Sequence, residues 1–270
     1  MTVSRFDRYV AIGDSSTEGL DDVIAPGRYR GWADRLATHV ARARALSHPE
    51  AGPLLYANLA IRGRRTREIR DEQLAPALAM KPDLATVFAG TNDVIRNGFQ
   101  LAPVIRDLRA MQRALRDVGA TVLTITMPDL SDVMPFARRA APQLRAFNQA
   151  VRDVSRETGT IVVDLASHAF VTDPRFWGDD RLHANTEGHR RIAAALAQAL
   201  GLPHTDGRWA DPLPPQSPPS TVRRLARELR WTRDYFIPWA WRHARGRSSG
   251  DGITAKRPRL TPVLDNEAVP

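Results

Sequence analysis

Cysteine is absent from this 270-residue chain, which excludes disulfides and thiolate–metal sites and leaves the redox compartment unread. Lysine is nearly absent as well. Lys81 and Lys256 are two of 39 basic residues, so the other 37 (39 − 2) are arginines. With so much alanine beside them, this reads as high-GC codon usage rather than selection for one ligand. No run of about 18 apolar residues occurs, so no membrane-spanning helix is expected. A secretory leader is not expected either, because Met1–Tyr9 holds Arg5, Asp7 and Arg8 and the first apolar run is already a strand. A cytoplasmic location is the resulting expectation.

Hydrophobic residues make up 43% and charged residues 26%, the balance of a globular domain with enough chain to bury a sizeable core. The net charge of +9 is unevenly placed. Residues 221–270 carry eleven Lys/Arg against five Asp/Glu, or +6, which leaves +3 (9 − 6) for the preceding 220 residues.

Short apolar runs alternate with longer amphipathic ones, the mark of β/α units and a parallel sheet. Tyr9–Gly13, Leu54–Ala60, Leu84–Ala89, Thr121–Thr126 and Thr160–Leu165 read as five strands covered on both faces. Trp32–Ala45, Thr66–Met80, Leu101–Val118, Pro142–Thr158 and Thr186–Leu200 read as helices. In the third, Leu101, Ile105, Leu108, Met111, Leu115 and Val118 form an i, i+3, i+4 stripe. Residues 1–202 therefore read as one α/β domain. Residues 203–220, rich in proline, read as a semi-rigid connector. Residues 221–243 regain helical character until Pro238 ends or kinks it. Residues 244–270 lack periodicity and read as an unordered tail.

Four segments carry chemistry. Gly13-Asp14-Ser15 ends the first strand, where ligands collect in open parallel sheets. Asp180-Arg181-Leu182-His183 lies just ahead of a helix, so one short loop can deliver an imidazole and a carboxylate together. His183 then serves as base and acid for Ser15, and Asp180 orients it. Ser16 competes with Ser15 for the nucleophile role, and Asp179 with Asp180 for the carboxylate. Gly63 and Asn92 follow the second and third strands. The Gly63 amide, the Asn92 side chain and the Ser15 amide are candidate oxyanion donors. Taken singly, each also reads as a turn or cap residue.

No Gly-x-Ser-x-Gly elbow is present, because Thr17 holds the last position. Nucleotide-binding and phosphate-cradling glycine loops are also missing. The histidines 39, 48, 168, 189, 204 and 243 show no ligand pairing with carboxylates. His189 reads as a residue of the surface or the end of the last domain helix.

In order and spacing, Gly13-Asp14-Ser15, Gly63, Gly90-Thr91-Asn92-Asp93 and Asp180-Arg181-Leu182-His183 resemble the four blocks of GDSL-type esterases and lipases, the SGNH hydrolases, over roughly residues 7–200. The one departure is Ser16-Thr17 where many members place a leucine after the serine. The resemblance implies a flavodoxin-like three-layer α/β/α sandwich, here with five parallel strands plus a C-terminal helical extension. It also implies a serine esterase working through an acyl-enzyme, with no metal and no organic cofactor. Acyl transfer or thioester cleavage on the same scaffold is an alternative, as is a non-catalytic adaptor binding through the basic tail.

That tail crowds Trp231, Trp239, Trp241, Tyr235 and Phe236 among arginines. One reading lays Leu225, Leu229 and Phe236 back onto the catalytic domain. Another places residues 221–247 on an anionic membrane surface, suiting a small-molecule or lipid ester substrate. Nucleic acid is disfavoured, since no recognised binding motif accompanies the charge.

Overall fold

The computed structural model describes residues 6–264 apart from 97, 132, 218–219, 239–240, 242–244 and 246–247. The expectations that fall on Arg5, Pro218, Pro219, Trp239, Arg242, His243 and Arg247 lie outside the described residues.

The five expected strands form within a few residues of their expected bounds. They are β1 (Arg8–Gly13), β4 (Leu55–Asn58), β5 (Leu84–Phe88), β6 (Thr121–Ile125) and β7 (Ile161–Val163). Two further short strands, β2 (Val23–Ala25) and β3 (Arg28–Tyr29), make a small antiparallel hairpin apart from the main sheet. The main sheet runs β7-β6-β5-β1-β4, all parallel, with β1 next to last in that order. Every residue of β5 is buried, as a strand covered on both faces must be.

Parallel neighbours need crossovers, and helices supply them. Helix α2 (Gly31–Ser47) packs on α7 (Thr186–Ala199). Helices α3 (Thr66–Ala79), α5 (Leu101–Asp117) and α6 (Ala141–Thr158) pack side by side. The stripe expected on α5 is buried at Ile105, Leu108, Met111 and Leu115, whereas Val118 at the helix end is exposed. Trp32, Tyr9, Ile12, Leu36 and Phe147 are among the largest fully buried side chains. Tyr9 stacks on Tyr56 at 4.9 Å, and its hydroxyl meets Thr86 Oγ1 at 2.9 Å.

One expectation is corrected. Within 244–270, read as an unordered tail, Arg257–Pro262 forms a sixth strand, β8, antiparallel to β4 at the sheet edge. Its two prolines hid it, yet an edge strand needs a ladder on one side only. Leu55 faces Pro262 and Tyr56 faces Thr261, and the register shifts before Asn58 meets Arg257. Lys256 Nζ fixes the approach to the strand by reaching Asp34 Oδ2 at 2.9 Å. The sheet is therefore six-stranded and mixed.

Beyond the proline-rich stretch, α8 (Thr221–Trp231) continues as a wider π-turn over Thr232–Phe236. Among the described residues, no helix is long and apolar enough to cross a membrane.

Candidate active site

Three of the parallel strands end at the same sheet edge, and each leads into one of the sequence blocks. β1 stops at Gly13, and a one-turn helix, α1 (Ser15–Glu18), begins at once. Asp14 caps it, accepting from Ser16 N at 3.1 Å. Gln73 of α3 pins the turn from outside: its amide donates to Gly13 O at 2.9 Å and accepts from Gly13 N at 2.8 Å. A Cβ on residue 13 would lie 2.2 Å from Thr17 Oγ1 and 2.7 Å from the Phe88 carbonyl, so only glycine fits.

His183 arrives from the opposite side, on the loop before α7. A bridge between Trp177 and Ala184 and the Gly178 N–H to His183 O bond (2.8 Å) close this loop. Asp180 Oδ1 accepts from Leu182 N (2.8 Å) and His183 N (3.0 Å). Its other oxygen lies 2.5 Å from His183 Nδ1. His183 Nε2 lies 2.7 Å from Ser15 Oγ. With Nδ1–H donating to Asp180, Nε2 is the acceptor for the serine hydroxyl.

Of the competing residues, the imidazole meets Ser15 and Asp180. Asp180 rather than Asp179 meets the imidazole. Ser16 also lines the cavity, but its hydroxyl accepts from Trp32 Nε1 at 3.3 Å.

The candidate oxyanion residues are placed as follows. Asn92, in the one-turn helix α4 (Thr91–Val94), donates its amide to Arg64 O at 3.0 Å and to Asp14 Oδ2 at 3.4 Å. It thereby links the nucleophile turn to the glycine segment. Gly63 has φ +76°, a left-handed conformation suited to glycine. A Cβ there would meet Ser248 Oγ at 2.3 Å, so the glycine turn lies directly under the returning C-terminal segment. The neighbouring Asp93 works for the fold: it receives Thr66 N (2.9 Å) and Thr66 Oγ1 (2.8 Å) at the start of α3.

Beside Ser15 and His183 opens a cavity of about 110 Å³, lined mostly by apolar side chains such as Ile125, Met127, Leu130, Leu144 and Leu165.

Sequence reasoning missed three contributors. Asp21, at φ +68°, brings a carboxylate oxygen to the Asp180–His183 pair; the three groups' ligand-capable atoms lie within 4.8 Å of one another. Both His183 nitrogens face protein partners, Nδ1 Asp180 and Nε2 Ser15. Nothing around Asp21 in the sequence marks it. Its neighbour Asp22 serves the fold instead, bonding Arg35 Nε (2.8 Å) and Gly31 N (3.0 Å). The second is Trp231 of α8, whose indole N–H donates to Asp180 O at 3.0 Å. The third is His189, which lies in the first turn of α7 but is fully buried rather than at a surface. Its Nδ1 accepts from Trp32 N (3.0 Å), and its Nε2 donates to Leu20 O (2.9 Å).

Charges in the site follow from burial and pairing. Burial pushes Asp14 up to about 7, against the Ser16 amide and the His183 charge. Burial, reinforced by the Asp180 charge, likewise carries Asp21 to about 7. For Asp180, burial is outweighed by the His183 charge and hydrogen bond, which hold it at about 2. Burial also resists an imidazolium at His183, but Asp180, with Asp21 and Asp14 behind it, raises its pKa above the ordinary value.

A hydroxyl, an imidazole and a carboxylate in series, at the carboxyl end of a parallel sheet and facing an apolar cavity, mark a hydrolase of carboxylic esters on an α/β scaffold. The chain belongs to the GDSL-like lipase/acylhydrolase family, whose profile matches residues 11–191. It is 29% identical over 213 residues to a GDSL lipase of Mycobacterium tuberculosis, covering 73% of this chain and 83% of that one. It is 23% identical over 217 residues to an acetylxylan esterase of Geobacillus stearothermophilus, covering 75% and 97%. A crystal structure of an acetylxylan esterase from that organism superposes with TM-score 0.58 at 19% identity, over 77% of this chain and all of the other. That likeness shows the fold.

Proposed function

We propose that Ser15, His183 and Asp180 act as the triad of a serine esterase that cleaves short-acyl carboxylic esters through an acyl-enzyme. The observation that carries this reading is the 2.7 Å approach of His183 Nε2 to Ser15 Oγ at the mouth of the cavity. Ser15 Oγ attacks the ester carbonyl as His183 takes its proton. The protonated imidazole returns that proton to the departing alcohol, and water then repeats the sequence on the acyl-enzyme. Asp180, ionised at working pH, stabilises the imidazolium. The oxyanion is assigned to the Ser15 amide, the Gly63 amide and the Asn92 side chain. Asn92's donation to Arg64 O and Asp14 supports its placement beside the nucleophile turn.

Acyl size is argued from the cavity. At about 110 Å³ it is smaller than the roughly 150 Å³ engineered void that holds benzene, which suits acyl groups of a few carbons. The acetyl substrate in the name of the Geobacillus relative agrees with that size. The proposed division is a catalytic unit in residues 1–202, a connector over 203–220 and an extension from 221. The extension bears on an anionic membrane surface rather than on nucleic acid. Ser15→Ala should lower kcat/KM for p-nitrophenyl butanoate at least about 10⁴-fold with an unchanged circular dichroism spectrum. Substantial hydrolysis by the folded variant would overturn the assignment.

A further inference from the structure

Helix α8 stands out because it exposes what helices bury. Every residue from Thr221 to Arg230 is exposed, including Val222 at 78%, Leu225 at 61% and Leu229 at 64%. These three share one helical side by their spacing. Arg223, Arg224, Arg227 and Arg230 alternate with them, and no ion pair to an acid is found for these four among the described residues. The attachment to the body uses other residues. Glu228 receives both Arg181 guanidinium nitrogens, at 2.8 and 2.7 Å. Trp231 donates to Asp180 O, and the Arg181 guanidinium lies 4.8 Å over its ring. Arg181 itself holds φ +62°, a costly backbone conformation for a residue with a long side chain, inside the loop that carries Asp180 and His183.

We propose that α8 is a docking element for anionic lipid surfaces, and that its contacts with Asp180 and Arg181 tie docking to the loop carrying the imidazole. The coupling half rests on the serine-esterase reading; the docking half does not.

Charge and apolarity together select the occupant. A second copy would bring an equally arginine-rich face from a molecule of net charge +9, so like charges oppose that pairing. A nucleic acid would satisfy the arginines and leave Val222, Leu225 and Leu229 in water. An anionic bilayer meets both needs, with headgroups for the guanidinium groups and acyl chains for the aliphatic ridge. Coupling follows from adjacency. Asp180 presents its carboxylate to His183 and its carbonyl to Trp231, so a displacement of α8 reaches the imidazole through one residue.

The test uses the full chain with sucrose-loaded vesicles of phosphatidylcholine alone or with 30% phosphatidylglycerol. Wild type should sediment with the anionic vesicles at least tenfold more strongly than with neutral ones, and less as salt rises. Leu225→Asp/Leu229→Asp should lose sedimentation while keeping its hydrolysis of a soluble ester. Anionic vesicles should raise wild-type hydrolysis at least twofold. Trp231→Phe/Glu228→Gln should still sediment but lose that response. Equal binding to neutral vesicles, or no binding, overturns the docking assignment. A concentration-dependent dimer abolished by the Leu225/Leu229 change would replace lipid with a second copy. Sedimentation without a rate response overturns the coupling alone. Ser15→Ala should sediment like wild type, so failure of the esterase reading would leave the docking result intact.

Discussion

At the residue scale, the proposed chemistry rests on one imidazole held between two oxygens. His183 must be neutral to act as a base, and Asp180, Asp21 and Asp14 together lift its pKa above the ordinary value near 6.5. The acid limb of kcat/KM should therefore have its midpoint above pH 6.5. Asp21→Asn removes one carboxylate favouring the imidazolium and should shift that midpoint to lower pH, with the plateau rate nearly kept. A pH–rate profile that does not move would show Asp21 to be a bystander. His189 makes the opposite kind of prediction, about stability. Burial lowers its pKa to about 4, while the unfolded chain titrates near 6.5. The native state resists a proton that the unfolded state accepts, so this contribution is complete above pH 6.5 and is lost as pH falls toward 4. Between pH 7 and pH 5 that amounts to about 2 kcal/mol. Asp14, raised by burial, works in the reverse sense but is common to wild type and variant. His189→Asn should thus show a smaller fall in urea midpoint from pH 7 to pH 5 than wild type. The meeting of Ser15, Asp180 and His183 was legible because their types and intervals form a pattern. Asp21 and His189 were not, because their roles come from neighbours about 160 residues away in the chain, Asp180 for Asp21 and Trp32 for His189.

At the element scale, periodicity located the five parallel strands and their crossover helices, since strands covered on both faces must be apolar and helices facing them must be striped. β8 escaped for the same reason inverted. Arg-Pro-Arg-Leu-Thr-Pro has no apolar alternation, and its pairing is fixed by the edge it covers rather than by its own composition. The distinction has a consequence. Ending the chain after residue 255 strips the cover from β4, leaving a row of unpaired backbone groups open to another chain. It also removes Lys256, whose charge offsets the burial that raises Asp34. The truncated protein should melt several degrees lower and scatter light in proportion to concentration on warming. An unchanged melting temperature without aggregation would mean that β8 leaves the stability of the β4 edge untouched.

At the scale of the whole molecule, the feature least visible in the sequence is the cavity. Its wall gathers Phe88 and Ile125 from strand ends, Leu130 and Ala140 from the stretch before α6, and Leu165, Leu182 and Ile192 from beyond β7. Each of these residues alone reads as ordinary core. Only the sheet topology, with β5 and β6 side by side and the His183 loop folded over their ends, gathers them into one cavity, the proposed acyl site. Size selection should then be adjustable from a wall position that bears little load. Ala140 is half-buried on the cavity rim, so Ala140→Leu adds three carbons to a space of about 110 Å³ without rebuilding the core. One methylene more or less in an apolar pocket is worth about 1–3 kcal/mol, or roughly 10–200-fold in kcat/KM. The variant should therefore keep acetyl ester hydrolysis within a few-fold of wild type and lose butanoyl ester hydrolysis by at least about tenfold. A series of p-nitrophenyl esters from two to eight carbons reads the difference directly. An equal loss at every length would mean that the acyl chain lies elsewhere, along the open rim rather than in this cavity.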